Sequence, residues 1–399
     1  LVLPVQAKYS GGSGTAQDPY QIATAADLIA FGATSADYSK HFILTADIDL
    51  SGRTYKISPT GSFAGTFDGN HLTIRNLTSN SSGLIGELAE DGRLENLRLE
   101  NVKVTSYSGS ALVQDNRGTI VDCYCAGIVS GSNWVGGLVG RNSGLITNCH
   151  TTVEVTGEYA SATGGLVGMN ESGTVMNCRS GGSVSGLRNV GGLVGWNSHG
   201  SVSNSCSTGA VRGRNYSVGG LVGRNYGGGI VNCWSTSAVG DNPDDAGGLV
   251  GECDEDGTIT NCFSTGAVKG YNLVGGLVGS SSGALAHCYS TGMVSGNNWV
   301  GGLVGYLGLS ASVTECFWDI DTSTRKESAA GTGLHTDQMV SAHVYLSAGW
   351  DFLGEPNNGL AEVWRLPERG GVSGAEHLQW LQSTCTPGAR RCRCPLRDL

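Results

Sequence analysis

The five-residue segment Gly136-Gly137-Leu138-Val139-Gly140 returns at Gly164, Gly191, Gly219, Gly247, Gly275 and Gly301, with weaker copies starting at Ser82 and Ser110. The nine starts lie 28, 26, 28, 27, 28, 28, 28 and 26 residues apart. A fixed period in this range marks a repeat architecture, in which each unit buries its apolar face only against its neighbours. Each unit holds three short apolar stretches. One is the GGLVG segment, one is a Gly-x-Ile-x-Asn-Cys stretch such as Gly144 to Cys149, and one is a Val-bearing run such as Val153-Glu154-Val155. Gly, Asn and Ser separate them, as expected of strands joined by turns.

Three strands of about five or six residues plus three corners use up one period of about 28 residues. That is one turn of a triangular coil whose turns pair in parallel. The expected fold is therefore all-β: a parallel β-solenoid (triangular β-helix) of about nine rungs with short α/β caps at both ends. Nine rungs at roughly 4.8 Å make a rod about 43 Å long. A β-propeller is excluded, because a blade needs about 40 or more residues.

Stacking places equivalent residues in columns. Leu84, Leu112, Leu138, Leu166, Leu193, Leu221, Leu249, Leu277 and Leu303 form one, and Val104, Val129, Val155, Val184, Val211, Val239, Val268 and Val294 another. Both are expected in the core, each side chain contributing about 1.5–3 kcal/mol. Leu138 and Val139 are adjacent, so a straight strand would turn one of them outward. A bend at the flanking glycines resolves this; the alternative is an apolar stripe on the surface.

A polar column, Asn96, Asn148, Asn177, Asn204, Asn232 and Asn261, is completed by Asp122, His287 and Glu315. Its amides are expected to hydrogen-bond up and down the stack. Just after it come Cys123, Cys149, Cys178, Cys233, Cys262, Cys288 and Cys316, with Ser205 in the remaining rung. One thiol per rung is not a convergent metal site, and in-register parallel strands bridge poorly. A reduced ladder of small buried thiols is expected. Cys125, Cys206 and Cys253 fall outside that column and are expected to be less buried and easier to oxidise.

The ends depart from the period. Residues 1–7 read as a signal-peptide remnant. Residues 8–75 read as an N-terminal cap, in which Thr24 starts a helix with Leu28 and Ile29 facing the first rung. The repeats occupy 76–318. Residues 319–370 read as an aromatic-rich C-terminal cap with a helix near Thr336–Ser347, and 371–399 as a disordered or out-of-frame tail.

Composition narrows the function. The 65 glycines follow no Gly-X-Y period, so this is not collagen. A net charge of -10 argues against a nucleic-acid partner, and no apolar run reaches the roughly 18 residues of a membrane span. The GGLVG-x-Asn…Asn-Cys-Tyr-Ser-Thr-Gly pattern from Ser82 to Cys316 resembles the GLUG motif of bacterial secreted and surface proteins. The Gly-Thr-x-x-Asp-Pro-Tyr-x-Ile entry at Gly14–Ile22 resembles the usual start of such chains. The resemblance implies a secreted or cell-surface location. GLUG motifs also accompany a separate zinc protease domain in some bacterial immunoglobulin A proteases, but no His-Glu-x-x-His motif is present, so that activity does not carry over.

Two features carry candidate chemistry. Asp241, Asp244, Asp245, Asp254 and Asp256 are weak Ca²⁺ candidates without an EF-hand or nonapeptide pattern; no other cofactor is expected. Trp134, Tyr216, Tyr271 and Trp299, with Tyr159 nearby, recur at one corner, where each ring either covers a rung edge or stacks on sugar rings. The expected function is a non-catalytic, adhesin-like module presenting its corner loops to a polysaccharide or another surface protein. The alternative is a polysaccharide lyase or hydrolase of the β-helix type, which needs two carboxylates about 5–10 Å apart in a groove.

Overall fold

The computed structural model describes residues 8–52, 61–352 and 364. The chain divides into two compact units, residues 1–334 and 335–399. The first is a parallel β-solenoid of about ten turns, built on four ladders that we call sheets A to D. Sheet A stacks twelve strands from Tyr20–Ile22 to Ser312–Thr314, sheet C ten from Ser62–Phe63 to Val304–Leu307, and sheet D seven from Trp134–Gly136 to Asn298–Gly301. In most rungs sheet B takes two short strands, such as His150–Thr151 and Glu154–Gly157, whereas Arg98–Thr105 and Tyr124–Gly131 each run through as one. Strands pair in register with the equivalent strand one turn away, as Ile146 does with Ile120 and Val175.

The GGLVG segment is two strands rather than one. Trp134–Gly136 belongs to sheet D and Val139–Asn142 to sheet C, with the bend at Gly137-Leu138. The bend puts both Leu138 and Val139 in the core. Both of their amides donate to one carbonyl of the next rung, Leu166 O, at 2.9 and 3.0 Å. Glycine is required here by close approach: a Cβ on Gly136 would lie 1.9 Å from Val139 O, and one on Gly137 2.1 Å from Gly165 O. Every member of the Leu and Val columns is buried.

The parallel ladder starts earlier than the repeat does. Tyr20–Ile22, His41–Leu44 and Thr66–Asp68 are already in register within sheet A. Much of 8–75 is thus solenoid with irregular sequence. Its open end is filled by Tyr9, Phe31, Phe42, Phe63 and Phe67, several of them edge to face. The helix Ala25–Ala33 has Thr24 as N-cap in a capping box with Asp27. It buries Leu28 and Phe31, three residues apart on one face, whereas Ile29 turns to solvent, 40% exposed. Residues 1–7 and 371–399 lie outside the described residues.

In the second unit the single expected helix is two, Thr336–Met339 and Ala342–Ser347, interrupted where Ser341 takes an extended conformation and starts the second. Tyr345, Trp350 and Trp364 are buried there, with Trp350 and Trp364 centroids 4.8 Å apart. Among the described residues no helix is long and apolar enough to cross a membrane.

Candidate functional site

Within a rung, the segment from the cysteine to the sheet B valine never changes length: Cys149 to Val155 and Cys288 to Val294 are alike. The segment from that valine to the next GGLVG does change. Val129 to Gly136, Val155 to Gly164 and Val211 to Gly219 all differ in length. This corner, where sheet B hands over to sheet D, is the variable one. Variable loops on a rigid scaffold are where binding residues concentrate.

The aromatic residues expected at one corner do sit at this one, but not in one column. Pairing aligns Tyr216 with Asp244, Asn272 with Asn298, and Trp134 with Ala162. Trp299 is therefore one position further along its strand than Tyr216, and Tyr271 lies one position before it. Trp134 is half-buried, its ring 5.5 Å from the Arg141 guanidinium. At this corner the rings that face water are Tyr107 (72% exposed), Tyr159 (70%), Tyr216 (39%), Tyr271 (51%) and Trp299 (62%); Tyr226 and Tyr306 are also exposed but belong to sheet C strands, Tyr306 lying 6.4 Å from the Trp299 ring. Tyr107 escaped the sequence reading because its rung carries the degenerate Ser110-Ala111-Leu112-Val113-Gln114 start.

The acidic residues divide between two places. Asp241, Asp244 and Asp245 are at the B–D corner, while Asp254 and Asp256 are in the turn after the sheet C strand Val250–Cys253. Asp254 is paired with Arg224, at 3.1 Å to Nε. Arg224 also meets Glu252 at 3.5 Å. Ser217 Oγ donates to Glu252 at 2.6 Å, and Ser280 Oγ donates to Asp245 at 2.6 Å. Burial, with Glu252 and Asp244 adding to it, pushes the Asp245 carboxyl up to about 6. Among the described residues no group of three or more His, Cys, Asp and Glu could hold a metal ion. The calcium candidates are thus not gathered.

The polar columns are rearranged relative to expectation. Asn96, Asn148, Asn177, Asn204, Asn232 and Asn261, with Asp122, His287 and Glu315, all have left-handed backbones at φ 49° to 55°. They are corner residues chosen for that conformation. Only Asn232 and Asn204 bond amide to amide, at 3.2 Å, while Asn96 donates to Asp68. The continuous amide ladder lies elsewhere: Asn116, Asn142, Asn170, Asn197 and Asn225, buried, each donating to the next at 2.6–2.8 Å. Its signal is the Asn two residues after the motif, as in Gly140-Arg141-Asn142.

The seven column cysteines are free and buried, and each Sγ lies 3.1–3.3 Å from the carbonyl two residues back. Ser205 makes the same contact to Ser203 O at 2.7 Å. Cys125, Cys206 and Cys253 prove to be buried as well. They occupy other inward or covered positions, and Cys253 ends the amide ladder by accepting from Asn225 at 3.6 Å. Burial pushes the thiols of Cys125, Cys149 and Cys262 well up, and that of Cys253 to about 11.

The family model described as the GLUG motif matches residues 131–156. Halomucin of Haloquadratum walsbyi (strain DSM 16790 / HBSQ001) is 33% identical over 211 residues. That match covers 41% of this chain and 2% of halomucin, so the chain spans a small part of the curated relative's length. Among solved structures, a candidate immunoglobulin A1 protease from Bacteroides ovatus superposes with a TM-score of 0.46 at 20% identity, over 85% of this chain and 90% of that one. An IgA1 protease superposes with a TM-score of 0.38 at 15% identity, over 88% of this chain and 26% of that one.

Proposed function

We propose that this chain, a GLUG-motif repeat protein, acts outside the cell as a non-catalytic, adhesin-like binding module that presents its B–D corner to polysaccharide. Another surface protein is the second class of partner. The carrying observation is the division of labour within each rung. The Leu, Val and Cys columns and the buried Asn ladder are committed to packing. The B–D corner instead varies in length and exposes Tyr107, Tyr159, Tyr216, Tyr271 and Trp299. Repeated exposed aromatic rings on a rigid scaffold favour a ligand with apolar faces and hydroxyl edges.

A second reading, a polysaccharide-degrading enzyme of the β-helix type, draws on Asp245 and Glu252, whose charges influence one another. It is the weaker reading. Each carboxylate is engaged by a serine of another rung, and Arg224 is shared between Glu252 and Asp254.

A glycan-array screen of the full chain, followed by product analysis on any glycan bound, tests both. Binding without turnover supports the module. Turnover that is lost in Asp245→Asn supports the enzyme. No binding to any sugar rejects the carbohydrate reading.

A further inference from the structure

We infer that the B–D corner holds an extended β-1,4-linked polysaccharide along the solenoid axis, one disaccharide for every two rungs. This rests on the carbohydrate-binding reading above and adds a linkage and a direction. If the nine repeat starts number the rungs, the exposed rings precede rung two (Tyr107), rung four (Tyr159), rung six (Tyr216) and rung eight (Tyr271). The row ends at rung nine with Trp299. Apart from that terminal ring, exposed rings occur on alternate rungs, about 9.6 Å apart along the axis.

The intervening rungs carry polar side chains at the same corner. Asp244 is directly in register with Tyr216. Arg188, one rung the other way, donates to the Tyr216 hydroxyl at 3.2 Å. Asn133 takes the equivalent place on rung three, beside the half-buried Trp134, and donates its backbone N–H to Tyr107 O at 2.9 Å. A platform that alternates aromatic ring and polar group has a two-rung period.

An extended β-1,4-linked glycan has the matching period. Successive sugars are flipped by about half a turn, so the same face recurs on every second sugar. The rise per sugar is close to the rung spacing of about 4.8 Å. Rings at alternate rungs meet the C–H faces of alternate sugars, and the polar side chains between them meet the hydroxyl edges of the others. The row is staggered sideways by only one or two residues, because the variable loops carry the rings at slightly different positions. An α-1,4-linked chain coils and would leave the row after one contact. Several weak contacts along one chain also make affinity rise steeply with ligand length.

The test is calorimetry of the full chain with cellohexaose, chitohexaose and maltohexaose, and with the corresponding disaccharides. From Tyr107 to Tyr271 the row runs about 29 Å, so a β-linked hexasaccharide engages most of it. At least one β-1,4-linked hexasaccharide is expected to bind more tightly than its disaccharide and than maltohexaose. Tyr216→Ala and Tyr271→Ala should each weaken that binding about tenfold. Both side chains are exposed, so circular dichroism should show the fold intact. Equal affinity for maltohexaose, no binding to either β-linked hexasaccharide, or unchanged binding by both variants would overturn the inference. Array binding to an α-linked or branched glycan that Tyr216→Ala still weakens would leave the broader carbohydrate-binding reading standing while this one falls.

Discussion

Asn170 donates its side-chain amide to Asn197 Oδ1 at 2.8 Å, and both residues are fully buried. The same nitrogen also donates to Gly173 O at 3.0 Å, so both amide hydrogens are used. Its oxygen accepts from Asn142 at 2.7 Å. The ladder thus joins neighbouring rungs through the interior of the C-to-A turn, while Asn142, Asn170, Asn197 and Asn225 each also donate to a carbonyl of their own turn. A buried amide with every valence met is inexpensive to keep, and breaking the chain strands the partners on both sides.

Asn170→Ala should therefore destabilise the solenoid by about 3 kcal/mol, the cost of stranded buried polar groups on both sides. Asn170→Asp should be worse, because it substitutes a charged acceptor for two required donors. Urea unfolding followed by circular dichroism measures both. A loss below about 0.5 kcal/mol for Asn170→Ala would show that the ladder contributes nothing beyond side-chain burial.

Asn148 provides the contrasting case. It has φ 55° and an exposed side chain for which no amide partner is found. Asn148→Gly should leave stability nearly unchanged, and Asn148→Ala should cost about 1 kcal/mol, the penalty of a Cβ in a left-handed backbone. Differential scanning calorimetry of the two variants separates backbone strain from any side-chain ladder, which would make both substitutions costly. The two Asn columns also show what the sequence could disclose. The repeat period, the parallel stacking and the Leu and Val columns were legible because a core repeats in the sequence as it does in space, whereas the first turns, such as Tyr20–Ile22 and His41–Leu44, were not, because they join the ladder without the motif. The Asn148 column was legible as a column but not as to its role, since a left-handed corner and a stacked amide select the same residue. The aromatic corner was legible as a place. Its register was not, because loops of different length shift Tyr159, Tyr216 and Tyr271 against each other by one or two residues.

The thiols make a third test. Cys125, Cys206 and Cys253 are enclosed, and burial lifts the Cys125 and Cys253 thiols above their ordinary range. The thiolate is the nucleophile, so these groups should resist iodoacetamide at pH 8 in the folded protein. Peptide mapping by mass spectrometry should find them unmodified until urea unfolds the chain. Cys149→Ser should be mild, costing about 1 kcal/mol. Ser205 already fills the equivalent place in its rung, with its hydroxyl on Ser203 O.

Asp245 sets the pH dependence of the same corner that carries the rings. Its carboxyl is pushed up to about 6, chiefly by burial, whereas an unfolded aspartate ionises near 3.9. Below about pH 4 the group is protonated in both states and folding loses nothing through it. Between about pH 4 and 6 the unfolded chain releases the proton first, so the folded state is progressively disfavoured. The loss should level off above the folded value, at on the order of 2 kcal/mol. Asp245→Asn removes the titration while keeping an oxygen to accept from Ser280, and Asn tolerates the left-handed backbone found here at φ 49°. The variant should match the parent near pH 4 and exceed it in stability at pH 7. Paired urea titrations across that range read the difference directly, since every other carboxylate is common to both proteins. A difference that stays constant with pH would show that Asp245 titrates alike in the folded and unfolded chains.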